Sequence, residues 1–254
     1  MRKSTTPSVS IIAAPSPTPA PAVTTLALDI GGTGLKAALL DSRGAMLTER
    51  TRVDTPHPAP PDVLVGALAG LAATLPGFDR ISIGFPGVVR GGRVLTAPHF
   101  GNELWRDYPL ADALSTRLKR PARLLNDAEV QGYGVIQGAG LEFVITLGTG
   151  VGSALFRDGA LMPHMEFAQF PFRKKRTMNA YIGAAAREEL SPRKWNKRVR
   201  RVIEAFATLI NFDAMYVGGG NAKHVDFELP RNVQVVSNDA GLTGGIRLWD
   251  HPPP

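Results

Sequence analysis

Residues 26–41 read LALDIGGTGLKAALLD, and the fold turns on what the glycines in this stretch are for. Leu26, Ala27, Leu28 and Ile30 suit a strand buried on both faces, and residues 36–40 suit a second one. Between them lie Gly31, Gly32, Thr33 and Gly34, which permit positive φ and let a ligand approach bare backbone. Free amide groups clustered in such a turn make a nest for an anion. The same letters also describe an ordinary glycine-rich hairpin that binds nothing. Taken alone, the stretch leaves both readings open.

A second stretch decides between them. Residues 143–158 read FVITLGTGVGSALFRD, again strand, glycine turn, strand. At a spacing of 117 residues, Leu26 matches Phe143, Ile30 matches Leu147, Gly31 matches Gly148, Ala37 matches Ala154 and Asp41 matches Asp158. Two such hairpins, each opening an α/β half, indicate an internal duplication. A lobe that faces its own copy across a cleft brings both turns to that cleft, so both are read as phosphate-binding hairpins. The rival phosphate motifs fail. No GxxxxGK[ST] is present, and the 148–152 run continues as strand, whereas a dinucleotide-binding turn must open a helix.

The 254 residues accommodate one large domain or two lobes with real cores. Hydrophobic residues make up 44% against 20% charged, and no apolar run reaches membrane-helix length. The absence of cysteine excludes disulfides and thiolate metal sites. The five histidines (His57, His99, His164, His224 and His251) lack ligand spacing, so no zinc is expected. A cytoplasmic protein fits this composition. The net charge of +7 is regional: residues 173–201 carry eleven Lys/Arg and two Glu, a local +9, which leaves −2 for the rest. A concentrated positive surface suits a polyanion.

Residues 1–23, rich in Pro, Ala, Ser and Thr, are expected to be disordered. Their apolar piece at 9–14 is short and broken by Ser10, which argues against a secretion signal. The tail is also too short for a helix-turn-helix. Strands are expected at 24–30, 35–41 and 45–52 in a meander, then a helix at 62–75 and a strand at 80–85 ending in Pro86-Gly87. Pro109 starts a second helix, and a strand at 122–125 runs into Asn126-Asp127 at a helix N-cap. Ser191-Pro192 opens a helix to Asn211, with Trp195, Val199, Val202, Ile203 and Phe206 inside and Arg193, Lys197, Arg200 and Arg201 facing solvent. A strand at 214–217 leads into Gly218, Gly219 and Gly220, which begin a further helix. The expected division is a tail (1–23), a first lobe (24–125) and a second lobe (126–254).

The motifs DIGGTGLK, GFPGVV, LLNDAEVQGYG, TLGTGVGSALF and YVGGGNAK, in this order, resemble the ROK family of sugar kinases and regulators over about residues 24–249. Among its branches the chain looks most like the polyphosphate glucokinases. The resemblance implies the α/β actin-like ATPase fold, two RNase H-like lobes with sugar and phosphoryl donor meeting in the cleft. It also implies a cytoplasmic glucokinase that phosphorylates the 6-hydroxyl with inorganic polyphosphate, ATP or both, and that uses Mg²⁺ and no zinc. Relatives are often homodimers. The alternatives are an ATP-dependent kinase for another hexose, such as mannose or fructose, and a catalytically weak sugar-sensing regulator. The missing helix-turn-helix and the presence of Asp127 count against the regulator.

The family pattern assigns roles residue by residue. Asp127 resembles the catalytic base, and its place at a helix N-terminus is expected to keep it ionised. Asp29 resembles the acidic residue that orients Mg²⁺ through water. Gly31, Gly32, Thr33 and Gly34 would hold donor phosphate from one lobe, and Gly148, Thr149 and Gly150 from the other. Lys36 adds charge there or is simply a surface lysine. Asn126, Asp127 and Glu166 match the sugar contacts, and Pro86-Gly87 would shape the pocket floor. Asn102 is a further candidate contact, with His99 competing for that role. The family's Glu-Leu-Gly-His is here Glu166-Phe167-Ala168-Gln169. Gln169 can hydrogen-bond a hydroxyl but cannot titrate, so sugar preference can differ from glucose. The family's cysteine-rich loop is absent, and a glutamate carried near it has no counterpart. Gly218, Gly219 and Gly220 are either an anion-binding helix start or a packed strand–helix junction. Arg173, Lys174, Lys175 and Arg176 come just after Glu166 and are expected near the cleft, as a track for a polyphosphate chain longer than the active site. Sparse aromatics argue against nucleic acid, and nothing suggests a membrane.

Overall fold

The two glycine hairpins each open a five-stranded sheet of the same design. The computed structural model describes residues 23–237 and 239–250; apart from Val23, the expected disordered tail lies outside them. β1 (Thr25–Ile30) and β2 (Gly34–Leu40) form the first antiparallel hairpin, and β3 (Thr51–Asp54) pairs with β2 at the sheet edge. β3 starts later than the expected 45–52, because Asp41 captures the chain first. Its Oδ1 accepts the amides of Arg43 and Ala45, at 2.8 and 2.9 Å, and this turns residues 41–45 back on themselves. α1 (Pro61–Ala72) then crosses to β4 (Arg80–Phe85), parallel to β1. After the short pair β5 (Val89–Arg90) and β6 (Arg93–Val94), α2 (Asn102–Trp105) and α3 (Leu110–Leu118) lead to β7 (Ala122–Asn126), parallel to β4.

The second half repeats this plan. α4 (Asp127–Tyr133) is followed by the hairpin of β8 (Leu141–Leu147) and β9 (Val151–Arg157), with β10 (Ala160–Leu161) at the edge. An excursion follows through β11 (Pro171–Arg173), β12 (Arg176–Thr177), α5 (Met178–Ile182), α6 (Ala184–Glu189) and α7 (Pro192–Ile210). β13 (Ala214–Gly218) and β14 (Val233–Val235) complete the sheet in parallel, and α8 (Ala240–Thr243) comes last. The strand orders are β3-β2-β1-β4-β7 and β10-β9-β8-β13-β14. Order and sense match position by position, and both hairpins are joined by three residues, 31–33 and 148–150. The duplication read from the glycines is therefore a duplication of whole sheets.

Each lobe has its own core. Leu26, Leu28 and Ile30 of β1 pack with Leu64, Leu68 and Leu71 of α1. In the second lobe α7 brings Trp195, Val199, Val202, Ile203 and Phe206 against Phe143 and Met215. Burying each such side chain contributes about 1.5–3 kcal/mol. Arg193, Lys197 and Arg200 are exposed as expected, but Arg201 is half-buried beside the Tyr181 hydroxyl, 3.4 Å away.

The expected cut at residue 125 does not partition the packing. α8 and the 3₁₀ turn Gly244–Trp249 return to the first sheet. There the Ser82 hydroxyl donates to the Gly245 carbonyl at 2.6 Å, and the Trp249 indole donates to Ser82 at 2.9 Å. The guanidinium groups of Arg80 and Arg123 stack over the same indole, 4.9 and 4.5 Å from its centre. α4 lies between the sheets and packs against β4 and β7 of one and β8 and β9 of the other. Among the described residues, no helix is long and apolar enough to cross a membrane.

Candidate active site

Both glycine turns face one cleft of about 550 Å³, within the size range of small-molecule sites. The carbonyls of the first turn are held from behind. Thr55 donates to Gly31 O at 2.7 Å, Arg52 to Thr33 O at 3.1 Å, and His57 Nε2 lies 2.9 Å from Gly32 O. Gly31 N–H closes on Gly34 O at 3.0 Å, and in the second turn Gly148 N–H closes on Gly150 O at 2.9 Å. The amides of Gly32, Thr33, Thr149 and Gly150 donate to no other described residue. Two turns with unengaged amides thus line the same cleft, one from each lobe. Lys36 is no ordinary surface lysine: it lines the cleft with its Nζ 2.7 Å from Asp29 Oδ2.

The end of β7 and the start of α4 build the chemical centre. Asn126 is the N-cap, and its Oδ1 accepts Ala128 N–H at 2.9 Å while Glu129 accepts Asn126 N–H at 3.1 Å. This capping box is stronger than a single cap. The Asn126 amide also donates to Gly87 O at 3.0 Å and to Phe85 O at 3.4 Å, so only its oxygen has capacity left toward a sugar. Asp127, the first residue of α4, is half-buried at the cleft and accepts Ala128 N–H at 2.9 Å. Contrary to the sequence expectation, Asp127 is not held ionised by its place at the helix N-terminus. Burial pushes its carboxyl up to about 7, and the nearby charges of Asp29, Glu166 and Glu129 push the same way against the single Ala128 hydrogen bond. A helix of seven residues cannot outweigh loss of water and three carboxylates.

Ser153 donates to Met165 O at 2.9 Å and fixes the segment that carries Glu166 and Gln169 into the cleft. Asn102 is not brought there. It opens α2, is exposed, and accepts Ala97 N–H at 2.7 Å, which makes it a loop tie. His99 takes the place instead. A Cβ on Gly32 would lie 3.5 Å from its Cγ, and one on Gly150 3.7 Å from its Nε2, so the ring stands between the two turns. Burial holds this imidazole below its ordinary pKa, with Glu166 opposing. His164 lacks ligand spacing in the sequence, yet it is not isolated. In the structure its Nδ1 lies 2.8 Å from Glu129 Oε1 and its Nε2 3.7 Å from Glu166 Oε2. Burial would lower its pKa, but the two carboxylates prevail and raise it to about 9. The sequence signal for it was its place two residues before Glu166.

The segment after β13 departs most from expectation. Gly219 and Gly220 line the cleft, whereas Gly218 packs against Gln131, whose Cδ is 2.9 Å from where a Cβ would sit. No α-helix follows them, only the 3₁₀ turn Ala222–His224, so the anion-binding helix start is not formed. The turn is fastened elsewhere: Asn221 N–H donates to Leu147 O at 2.8 Å and its side chain to Gly148 O at 3.1 Å. Arg187, Lys223 and His224 add a basic wall to the cleft that the sequence did not single out. Arg187 Nε donates to Asn221 Oδ1 at 3.2 Å and its terminal nitrogen lies 2.9 Å from His224 Nε2. Arg173, Lys174, Lys175 and Arg176 are all exposed on the β11–β12 hairpin and do not line the cleft. The chain turns away after Gln169, and the hairpin packs on α5, whose Asn179 does reach the cleft.

Comparison with known proteins agrees with this geometry. The sequence model of the ROK family matches residues 25–165. A polyphosphate glucokinase of Mycobacterium leprae is 30% identical over 85% of this chain and 72% of its own length. The crystal structure of an inorganic polyphosphate/ATP-glucomannokinase from Arthrobacter sp. strain KM superposes with a TM-score of 0.81 and 31% identity, covering 90% of this chain and all of the other. A ROK family glucokinase from Streptomyces griseus, solved with glucose and AMPPNP, superposes at 0.75 with 22% identity, covering 89% of this chain and 98% of the other, and so shows the fold alone. With its two duplicated sheets, its paired glycine turns and these matches, the chain has the actin-like ATPase fold and belongs to the ROK family.

Proposed function

We propose that this protein is a sugar kinase that transfers the terminal phosphoryl group of inorganic polyphosphate or ATP to the 6-hydroxyl of glucose. The observation that carries the reading is Asp127: a carboxyl raised to about 7 by burial, in the same cleft as the two glycine turns, Glu166 and Gln169. The sugar oxygen attacks the terminal phosphorus as its proton passes to an Asp127 oxygen. The bond from phosphorus to the bridging oxygen breaks, and its electrons leave with the shortened donor. In such a loose transition state the base is asked for little and positioning supplies most of the rate. A base with a pKa near the working pH is also the most effective kind.

The amides of Gly32, Thr33, Thr149 and Gly150 are the donors that would meet the charge on the phosphoryl oxygens. Glu166 and Gln169 would hold sugar hydroxyls. Arg187 and Lys223 line the cleft where the rest of an anionic donor would lie, and a long chain would have to leave the cleft to reach the exposed residues 173–176. No group of three or more metal-ligating side chains gathers among the described residues. The residues nevertheless suit Mg²⁺, which keeps several waters and uses one or two carboxylates with phosphate oxygens. Asp29 would hold it through water, beside Lys36, and when bound the ion neutralises donor charge.

The similarity to a polyphosphate glucokinase and a glucomannokinase supports both donors and makes mannose the first alternative sugar. Turnover of glucose and mannose with polyphosphate and with ATP, read as hexose 6-phosphate, tests the proposal. Sugar binding without turnover on either donor would overturn it in favour of a sensor.

A further inference from the structure

We infer that His164 is a positioning residue that holds the sugar-contacting Glu166 and the cap of the Asp127 helix in one line, Glu129–His164–Glu166. The inference rests on the sugar role proposed for Glu166. Glu129 is 3% exposed, and each of its carboxylate oxygens has one use: Oε2 accepts the amide of Asn126, and Oε1 meets His164 Nδ1 at 2.8 Å. The residue after Asn126 is Asp127, so one end of the line is bolted to the base. The other end is unfinished. His164 Nε2 is buried, has no hydrogen-bond partner among the described residues, and stands 3.7 Å from Glu166 Oε2.

That distance is too long for a hydrogen bond, and a buried N–H without a partner is unfavourable. Glu166 is the mobile member, with 34% of its side chain exposed against 12% for His164. A shift of about 1 Å brings its oxygen into hydrogen-bond range of Nε2. A sugar hydroxyl that engages the other oxygen of Glu166 favours that shift, and His164 then fixes the carboxylate against it. His99 and Asp127 also face Glu166 electrostatically, but neither is hydrogen-bonded to it. His164 is thus the group that can set its position.

The test uses two substitutions that each keep half of the imidazole. Asn places its amide near Nδ1 and can still serve Glu129, whereas Gln reaches toward Nε2 and can serve Glu166. Sugar affinity is measured by calorimetry without donor, beside kcat, KM and thermal unfolding. H164N is expected to unfold near the wild-type temperature, to lose sugar affinity by about tenfold, as expected for one lost hydrogen bond to a charged group, and to raise KM more than it lowers kcat. H164Q is expected to restore most of the affinity. Wild-type affinity in H164N overturns the inference, and so do equal losses in both variants that follow a fall in unfolding temperature. E166Q is the control: if it binds sugar normally, the sugar role of Glu166 fails and the inference with it. If E166Q weakens binding and H164N does not, only His164 is wrongly placed.

Discussion

Replacing Asp127 with Asn should make the protein both inactive and more stable, and the size of the second effect follows from the site. Moving a carboxyl from 3.8 to about 7 disfavours its charged form by about 4 kcal/mol, at about 1.4 kcal/mol per pH unit. Water at the open side of this half-buried group screens part of that, so about 2 kcal/mol is a reasonable net figure. Asn is nearly isosteric, carries no charge, and keeps an oxygen for the Ala128 amide. The sign follows from proton uptake. The native state holds this proton more tightly than the unfolded chain, so wild-type stability falls as pH rises from about 4 to about 7 and is flat above. The variant should therefore match the wild type at pH 4 and unfold about 4–8 °C higher at pH 8, for a chain of this size. Differential scanning calorimetry at both pH values reads the difference directly. Turnover should fall by at least about a hundredfold, and wild-type kcat/KM for the sugar should rise with pH and level off above about 7. An unfolding difference that is the same at both pH values, or a destabilised variant, would refute the account of burial and crowded carboxylates.

Three further outcomes are expected. Gln169→His should tighten glucose binding or shift preference across a sugar panel, because residue 169 lines the cleft beside Glu166; unchanged kinetics would remove it from the sugar site. Neutralising Arg173, Lys174, Lys175 and Arg176 together should raise KM for long polyphosphate and flatten its salt dependence while leaving ATP nearly unaffected, whereas neutralising Arg187 and Lys223 should raise KM for both donors; steady-state kinetics at two salt concentrations separate the cases. Gly219→Ala should lower stability by about 1–3 kcal/mol, since φ is +84° and the new Cβ would sit 2.5 Å from Leu147 O; thermal unfolding indistinguishable from wild type would show that the turn relaxes freely.

What the sequence made legible was local or repeated. A glycine turn between buried strands is encoded within a few residues, and its recurrence 117 positions later reported a global property, the paired sheets. Asn126, Ser191 and Asn211 were readable as helix ends because caps depend on near neighbours. The misplaced third strand was a contest between β propensity and one Asp41 carboxylate, which the pattern of apolar residues does not register. The site was harder. Asn102 and His99 lie three residues apart, and only the path of the loop decides which one enters the cleft. The basic run marked a surface, whereas the basic wall joins Arg187 to His224 across 37 residues of chain. The state of Asp127 depends on Asp29 and Glu166, which tertiary structure alone places beside it.

The position of α4 between the two sheets has a mechanical meaning. A two-lobed enzyme must open to admit substrate and close to exclude water, and every part mounted on one lobe then moves relative to the other. The glycine turns are mounted in this way, one on each lobe. Asp127 is mounted on the element that both lobes grip, between β4 and β7 on one side and β8 and β9 on the other. The proposed base thus sits on the element that both lobes share. If the lobes close on the proposed substrates, the two turns would approach each other while Asp127 stays in place, and mutations that loosen the surfaces around α4 would disturb the closing step before substrate affinity.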